Sequence, residues 1–255
     1  MFSEVERSEV RDRLVATAQS DARITAASLV GSAAAGRADR WSDIDLALRL
    51  AAGLSPGDVV DDWTDRLYRT YDAIAHFDLW SGPTLFRVFL LANSLEIDLS
   101  FWPSEDFAPT SSTFRLIFGE ANEPSPKAAR LPEPMIGMAW LYALHARSSI
   151  GRGRGLQALS MLNCMREQII SLACLRSGLA PDHCRGVDDL PAPTRQQLLQ
   201  TIVRGTEAAE LCRVFAHLTE LLLAEAGLID HELADRLRPV LLELVRNAHS
   251  GTAHS

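Results

Sequence analysis

Lysine is almost missing from this chain. Only Lys127 is a lysine; the other twenty-four of the 25 basic residues are arginine. That excludes chemistries that need a lysine at a fixed motif position: the Walker-type phosphate loop, the Schiff-base lysine and the kinase-type strand lysine. Lys127 itself lies in Ser125-Pro126-Lys127, which reads as a linker. Any cation that meets a phosphate in this protein is therefore expected to be arginine. Cysteine is equally sparse in pattern: Cys164, Cys174, Cys184 and Cys212 form no Cys-x-x-Cys pair. This argues against a zinc ribbon or a disulfide framework and for reduced thiols in a cytoplasmic protein. No uncharged run reaches the roughly eighteen residues of a membrane helix. Residues 1–13 are strongly charged, unlike a secretory leader, so a soluble, cytoplasmic protein without a membrane partner is expected. There is no Gly-x-Ser-x-Gly and no His-Glu-x-x-His, and none of the seven histidines forms a metal-spaced pair. His145 reads as packed or surface-exposed.

What is present is an ordinary globular composition, 47% apolar and 23% charged over 255 residues, enough for one large or two small domains. The net charge of −8 argues against a general nucleic-acid surface. It suits a small cationic substrate, and solubility explains it equally well.

Apolar spacing divides the chain. Residues 4–19 suit an amphipathic helix and 24–30 a short buried strand stopped by Gly31. Residues 32–36 could form a turn of helix, and 43–50 a second strand. Pro56 is placed to open a helix reaching residue 74, with Val59, Trp63, Leu67 and Tyr71 on one face. Residues 75–80 then read as a strand, 81–83 as a turn, and 86–91 with 95–102 as a hairpin joined at 92–94. The prolines between 103 and 134 mark a change of character, and the later part reads as an interdomain connection. Beyond it the pattern is helical over 135–150, 156–177, 194–204, 207–226 and 230–247. The expected architecture is an α+β domain over 1–122, with a mixed sheet and helices. A Pro-rich connection over 123–134, an all-α bundle over 135–248 and a frayed tail over 249–255 follow.

The chemistry concentrates between residues 29 and 48. A strand ends in Gly31-Ser32, a polar connection follows, and a new strand opens with Asp43-Ile44-Asp45. Side chains two apart on a strand point the same way, so Asp43 and Asp45 share one face while Ile44, Leu46 and Leu48 enter a core. Two adjacent carboxylates repel unless a cation lies between them, and Mg²⁺ is the cation that prefers carboxylate and phosphate oxygens. On the later strand Glu96 and Asp98 share a polar face opposite Ile97, Leu99 and Phe101.

The order strand, Gly31-Ser32, ten residues, Asp43-x-Asp45, helix, hairpin, Asp98 resembles the nucleotidyltransferase superfamily that includes DNA polymerase β. The helical remainder looks more loosely like the second domain of aminoglycoside and lincosamide nucleotidyltransferases. The resemblance implies a metal-dependent transfer of a nucleoside monophosphate, AMP from ATP or the equivalent from another nucleoside triphosphate. The implied acceptor is a small-molecule hydroxyl, on an aminoglycoside or lincosamide. It implies that Asp43, Asp45 and Asp98 ligate two Mg²⁺ ions and that Asp98, rather than Glu96, accepts the acceptor's proton. Gly31 and Ser32 are the residues it assigns to the nucleotide, the backbone N–H groups after Gly31 meeting phosphate, and Arg37 and Ser42 are further nucleotide-binding candidates in this sequence. Related sequences often carry an arginine where this one has Ala35. Arg37 or Arg40 could supply that charge, or both could be solvent-facing turn residues. Arg152 and Arg154 in Gly-Arg-Gly-Arg-Gly read either as a solvated turn or as a pair reaching the triphosphate. Asp182, His183, Asp188 and Asp189 could present charge to a cationic acceptor or simply be solvated. A protein-nucleotidylating, antitoxin-like enzyme and a non-catalytic nucleotide-binding module are the alternatives.

Overall fold

A computed structural model of the chain describes residues 1–109, 113–124 and 130–251. It divides into two compact units, Met1–Ala128 and Ala129–Ser255. The first is a mixed sheet with helices and the second is helical.

The first unit is built on a six-stranded sheet ordered β3-β4-β5-β2-β1-β6. Its strands are β1 (Ile24–Val30), β2 (Ile44–Leu50), β3 (Ala73–Ser81), β4 (Thr84–Leu91), β5 (Glu96–Trp102) and β6 (Phe114–Phe118). Only β2 and β5 run parallel; the other neighbours are antiparallel. Alternation sends Ile44, Leu46 and Leu48 of β2 and Ile97, Leu99 and Phe101 of β5 into one core. Helix α1 (Glu4–Ser20) closes it with Leu14 and Ala18, and α3 (Val60–Thr70) closes it with Trp63 and Leu67. Trp63 meets Phe101 edge to face with ring centroids 6.2 Å apart. The other face of the sheet holds a smaller cluster, Ala26, Ala47 and Phe107.

Two departures from the sequence pattern have local causes. The helix expected from residue 56 to 74 is shorter: Pro56–Asp58 is a 3₁₀ turn, closed by the Ser55 and Asp58 side chains, and α3 starts at Val60. Asp72 then takes a φ of 55°, a left-handed conformation that ends the helix, and Ile74 joins β3. Strand β6 falls inside the stretch that the prolines mark as changing character. It is too short to show alternation and exists by pairing with β1. Gly119 follows it at φ 74°, where a Cβ would meet the Thr25 carbonyl at 2.2 Å.

The second unit contains α4 (Pro132–Gly151), α5 (Gly155–Arg176), α6 (Ala192–Gln200), α7 (Ala208–Ile229) and α8 (His231–Gly251). Leu162, Met165, Ile169, Phe215, Leu218 and Leu222 lie in its core. Glu225, buried on α7, accepts from Arg176 Nε and Nη2 at 2.8 and 3.0 Å, a bidentate pair between α7 and α5. Residues 132–134 of the expected connection are helical, because proline is tolerated in the first turn of a helix. Lys127 and the rest of 125–129 lie outside the described residues. The tail expected from residue 249 begins later, since α8 runs to Gly251 and 252–255 are not described. Helix α6 ends at Gln200 rather than Arg204. The Thr201 hydroxyl there donates to the Leu198 carbonyl, and Arg166 donates to both the hydroxyl and the carbonyl of Thr201. Among the described residues no helix is long and apolar enough to cross a membrane.

Candidate active site

The parallel pairing of β2 with β5 sets Asp45 directly opposite Asp98. Neighbouring strands lie about 4.8 Å apart, so the two carboxylates start from adjacent positions on one face. Asp43 precedes β2 by one residue and falls on the same side as Asp45. Burial is the largest influence on both sheet carboxylates. Asp45 is pushed up to about 7 by burial, then by the charges of Asp43 and Asp98, a hydrogen bond with Asp43 and the charge of Glu96. Asp98 is pushed up to about 6 by burial, then by the charges of Glu96 and Asp43. The charges of Asp43 and Glu96 thus both bear on the two sheet carboxylates.

Gly31 makes room for this centre. It sits at φ 62°, and a Cβ there would lie 2.2 Å from Asp45 Oδ2 and 3.1 Å from its Cγ. Only glycine both adopts that conformation cheaply and lets the backbone press against the carboxylate. The chain then makes the single turn α2 (Gly31–Ala34), ending at Ala35. Ser32 Oγ and Asp98 Oδ1 are buried oxygens with no hydrogen-bond partner among the described residues. Buried polar atoms in native proteins are normally bonded, so this hydroxyl on the loop and this carboxylate oxygen on β5 hold unused hydrogen-bonding capacity on the same site. The donor set, carboxylates with one hydroxyl, is the chemistry a hard divalent cation prefers, and in that respect the residues fit Mg²⁺. Among the described residues no three His, Cys, Asp or Glu side chains stand as a ready-made cage for an ion.

The connection from α2 to β2 is held by a residue that the motif does not contain. Arg7 of α1 is buried, and its Nη1 donates to the carbonyl of Asp39 and, at 3.2 Å, to that of Ser42. The Asp39 carboxylate accepts from the Trp41 N–H at 2.9 Å and from the Ser42 hydroxyl at 3.1 Å. Ser42 Oγ in turn accepts from the Asp39 N–H at 2.9 Å. These bonds hold the Asp39 carboxyl below the usual carboxylate range. The sequence signal for Arg7 is its spacing, seven residues before Leu14 on the buried stripe that continues to Ala18.

Of the other sequence-derived candidates, Ser42 is engaged in that turn, and Arg37 is exposed, its backbone N–H donating to the Ser32 carbonyl and its side chain without a partner among the described residues. Arg40 stacks on the exposed Trp41 ring, 4.1 Å from its centroid. Glu96 is exposed at the start of β5, opposite Leu90. Arg152 and Arg154 are exposed in the turn between α4 and α5, flanking Gly153 at φ 65°. Asp188 and Asp189 are exposed in the 3₁₀ turn Val187–Asp189, where the Asp188 carbonyl accepts from Arg195. Asp182 pairs with Arg130. These last groups belong to the second unit.

No family model matches this chain, and no curated protein matches it. Among solved structures, the chain is similar to the crystal structure of an aminoglycoside 6-adenyltransferase from Bacillus subtilis. The two are 14% identical with a TM-score of 0.36, over 96% of this chain and 99% of that one.

Proposed function

We propose that this protein is a metal-dependent nucleotidyltransferase that moves a nucleoside monophosphate, AMP from ATP, onto a hydroxyl of a small molecule. The chemistry is assigned to residues 1–122. One observation carries the reading: Asp45 and Asp98 are register partners, with the Gly31 backbone against one and an unpartnered oxygen on the other. Phosphoryl chemistry asks a protein mainly for positioning and charge neutralisation, which an acidic centre beside a small loop can supply.

Asp43, Asp45 and Asp98 are the residues that would hold Mg²⁺, which when bound neutralises the phosphates and the leaving pyrophosphate. The chain's own residues do the rest. The Ser32 hydroxyl donates to a phosphate oxygen, and the close Gly31 backbone lets the triphosphate approach the sheet. Arg37, whose side chain has no partner among the described residues, supplies the cation that lysine does not. Asp98 Oδ1 takes the proton from the acceptor hydroxyl as that oxygen bonds to the α-phosphorus. The bond from this phosphorus to the bridging oxygen breaks, and pyrophosphate leaves. The net charge of −8 suits a cationic acceptor, such as an aminoglycoside or lincosamide antibiotic.

The test is pyrophosphate release from ATP and Mg²⁺ across a panel of hydroxylated amines that includes those antibiotics. A turnover that needs one acceptor and disappears in Asp43→Asn and Asp45→Asn supports the reading. Metal-dependent ATP binding that survives both substitutions overturns the assigned centre. Label from ATP appearing on a protein band overturns the small-molecule acceptor.

A further inference from the structure

The sheet face that carries Asp45 and Asp98 continues past β5 as an apolar surface. Pairing fixes the neighbours: Asp98 lies opposite Val88 and Glu96 opposite Leu90, while Val88 lies opposite Phe77 and Leu90 opposite Ala75. All of these side chains therefore share the carboxylate face. Phe77 is 55% exposed and Leu90 45% exposed. A cavity of about 410 Å³ opens here, lined by Phe77, Val88, Leu90 and Glu96 among others. Its volume is that of a small-molecule site, and a contiguous exposed apolar surface beside polar groups is the usual sign of a binding surface.

Two features select the occupant. Glu96 is exposed at one end of the cavity, and among the described residues no basic side chain pairs with it. That end therefore favours a cation. A second copy of this chain seated on the same face would bring Glu96, Asp98 and Asp45 toward their own counterparts, and like charges across an interface oppose association. A hydrophilic polycation such as an aminoglycoside would satisfy Glu96 but leave the apolar wall wet, so this wall narrows the cationic acceptors named above. We infer that the acceptor is an amine with an apolar ring or alkyl body, lying on Phe77, Val88 and Leu90 with its ammonium toward Glu96 and its hydroxyl toward Asp98. This rests on the nucleotidyltransferase reading of Asp45 and Asp98. It adds a specificity wall that the motif does not contain.

Dansylcadaverine, an alkyl primary amine carrying an aromatic dansyl group, is the probe, read by fluorescence on the full chain. The expected result is binding at least tenfold tighter than that of its neutral N-butyl dansylamide counterpart. Phe77→Ser and Glu96→Gln should each weaken it at least tenfold. Trp80→Ser, on the opposite face of β3, should leave it unchanged. Thermal melts of the variants separate lost binding from lost folding. Equal affinity for the charged and neutral dyes, or binding indifferent to Phe77→Ser, overturns the proposal. So does a dimer in sedimentation that Phe77→Ser dissociates, which makes the face an interface between copies. If dye binding follows Phe77 and Glu96 while the parent protein shows no Mg²⁺-dependent ATP binding, the amine site stands and the nucleotidyltransferase reading fails.

Discussion

Asp45 and Asp98 face each other across the one parallel pair of strands in the sheet. Each is raised well above an ordinary aspartate, to about 7 and about 6, with burial as the main cause. The fold thus holds together two groups that destabilise each other in the absence of a cation.

The sign of the resulting pH dependence is fixed. Both folded-state values lie above the unfolded value of about 3.9, so the folded protein binds the extra protons. In metal-free buffer, stability from these groups is fully present below about pH 4 and is lost progressively as pH rises from there through 6 and 7. Differential scanning calorimetry should show the melting temperature of the parent falling over that window, and falling less in Asp45→Asn. At pH 8 without metal, Asp45→Asn should melt a few degrees above the parent. Added Mg²⁺ should raise the parent and leave Asp45→Asn nearly unmoved. A steeper fall with pH in Asp45→Asn than in the parent contradicts the assignment.

Gly31 and Gly36 separate crowding from backbone strain. Both have left-handed φ, 62° and 66°, but a Cβ on Gly31 meets the Asp45 carboxylate while one on Gly36 meets nothing within 4 Å. Alanine at either position should cost about 1 kcal/mol of stability through strain. Only Gly31→Ala should also abolish ATP binding measured by calorimetry, a loss of about a hundredfold or more. Equal effects of the two substitutions on ATP binding would remove the steric argument.

Arg7→Met should loosen the loop that leads into Asp43. It takes the side-chain donor from the Ser42 carbonyl and leaves the Asp39 carbonyl with the Ser42 N–H alone, at a cost of about 1–3 kcal/mol. Hydrogen exchange at the Ser42 amide, which bonds to the Asp39 carbonyl, should accelerate, and the KM for ATP should rise more than kcat falls. A stability loss with unchanged exchange at that amide would make Arg7 a packing residue only.

Glu225→Gln tests the independence of the helical unit. It replaces the buried carboxylate of the bidentate pair with Arg176 and should lower unfolding stability by about 2 kcal/mol. ATP binding by the first unit should stay within twofold of the parent, measured by the same calorimetry. A parallel loss of both properties would show that the two units unfold together.

The sequence by itself determined the elements with strong periods and the residues with strong chemistry. Alternation of Ile44, Leu46 and Leu48 gave β2 a buried side and left Asp43 and Asp45 on the other. The same rule put Glu96 and Asp98 together on β5. Helical spacing of Leu211, Phe215, Leu218 and Leu222 identified α7. These are local facts, fixed by side-chain direction on a strand or helix. Tertiary structure decided what no local period encodes. Register is set by pairing between distant segments, and it is register that puts Asp98 opposite Asp45 and Val88 opposite Asp98. β6 exists because β1 offers it an edge, and α3 stops because Asp72 turns back into the hairpin. Arg7 holds a loop more than thirty residues away through carbonyl oxygens, which every residue possesses and no motif can mark. The Gly-Ser and Asp-x-Asp pattern located the carboxylates. The fold supplied their opposition, their burial and the apolar wall beside them.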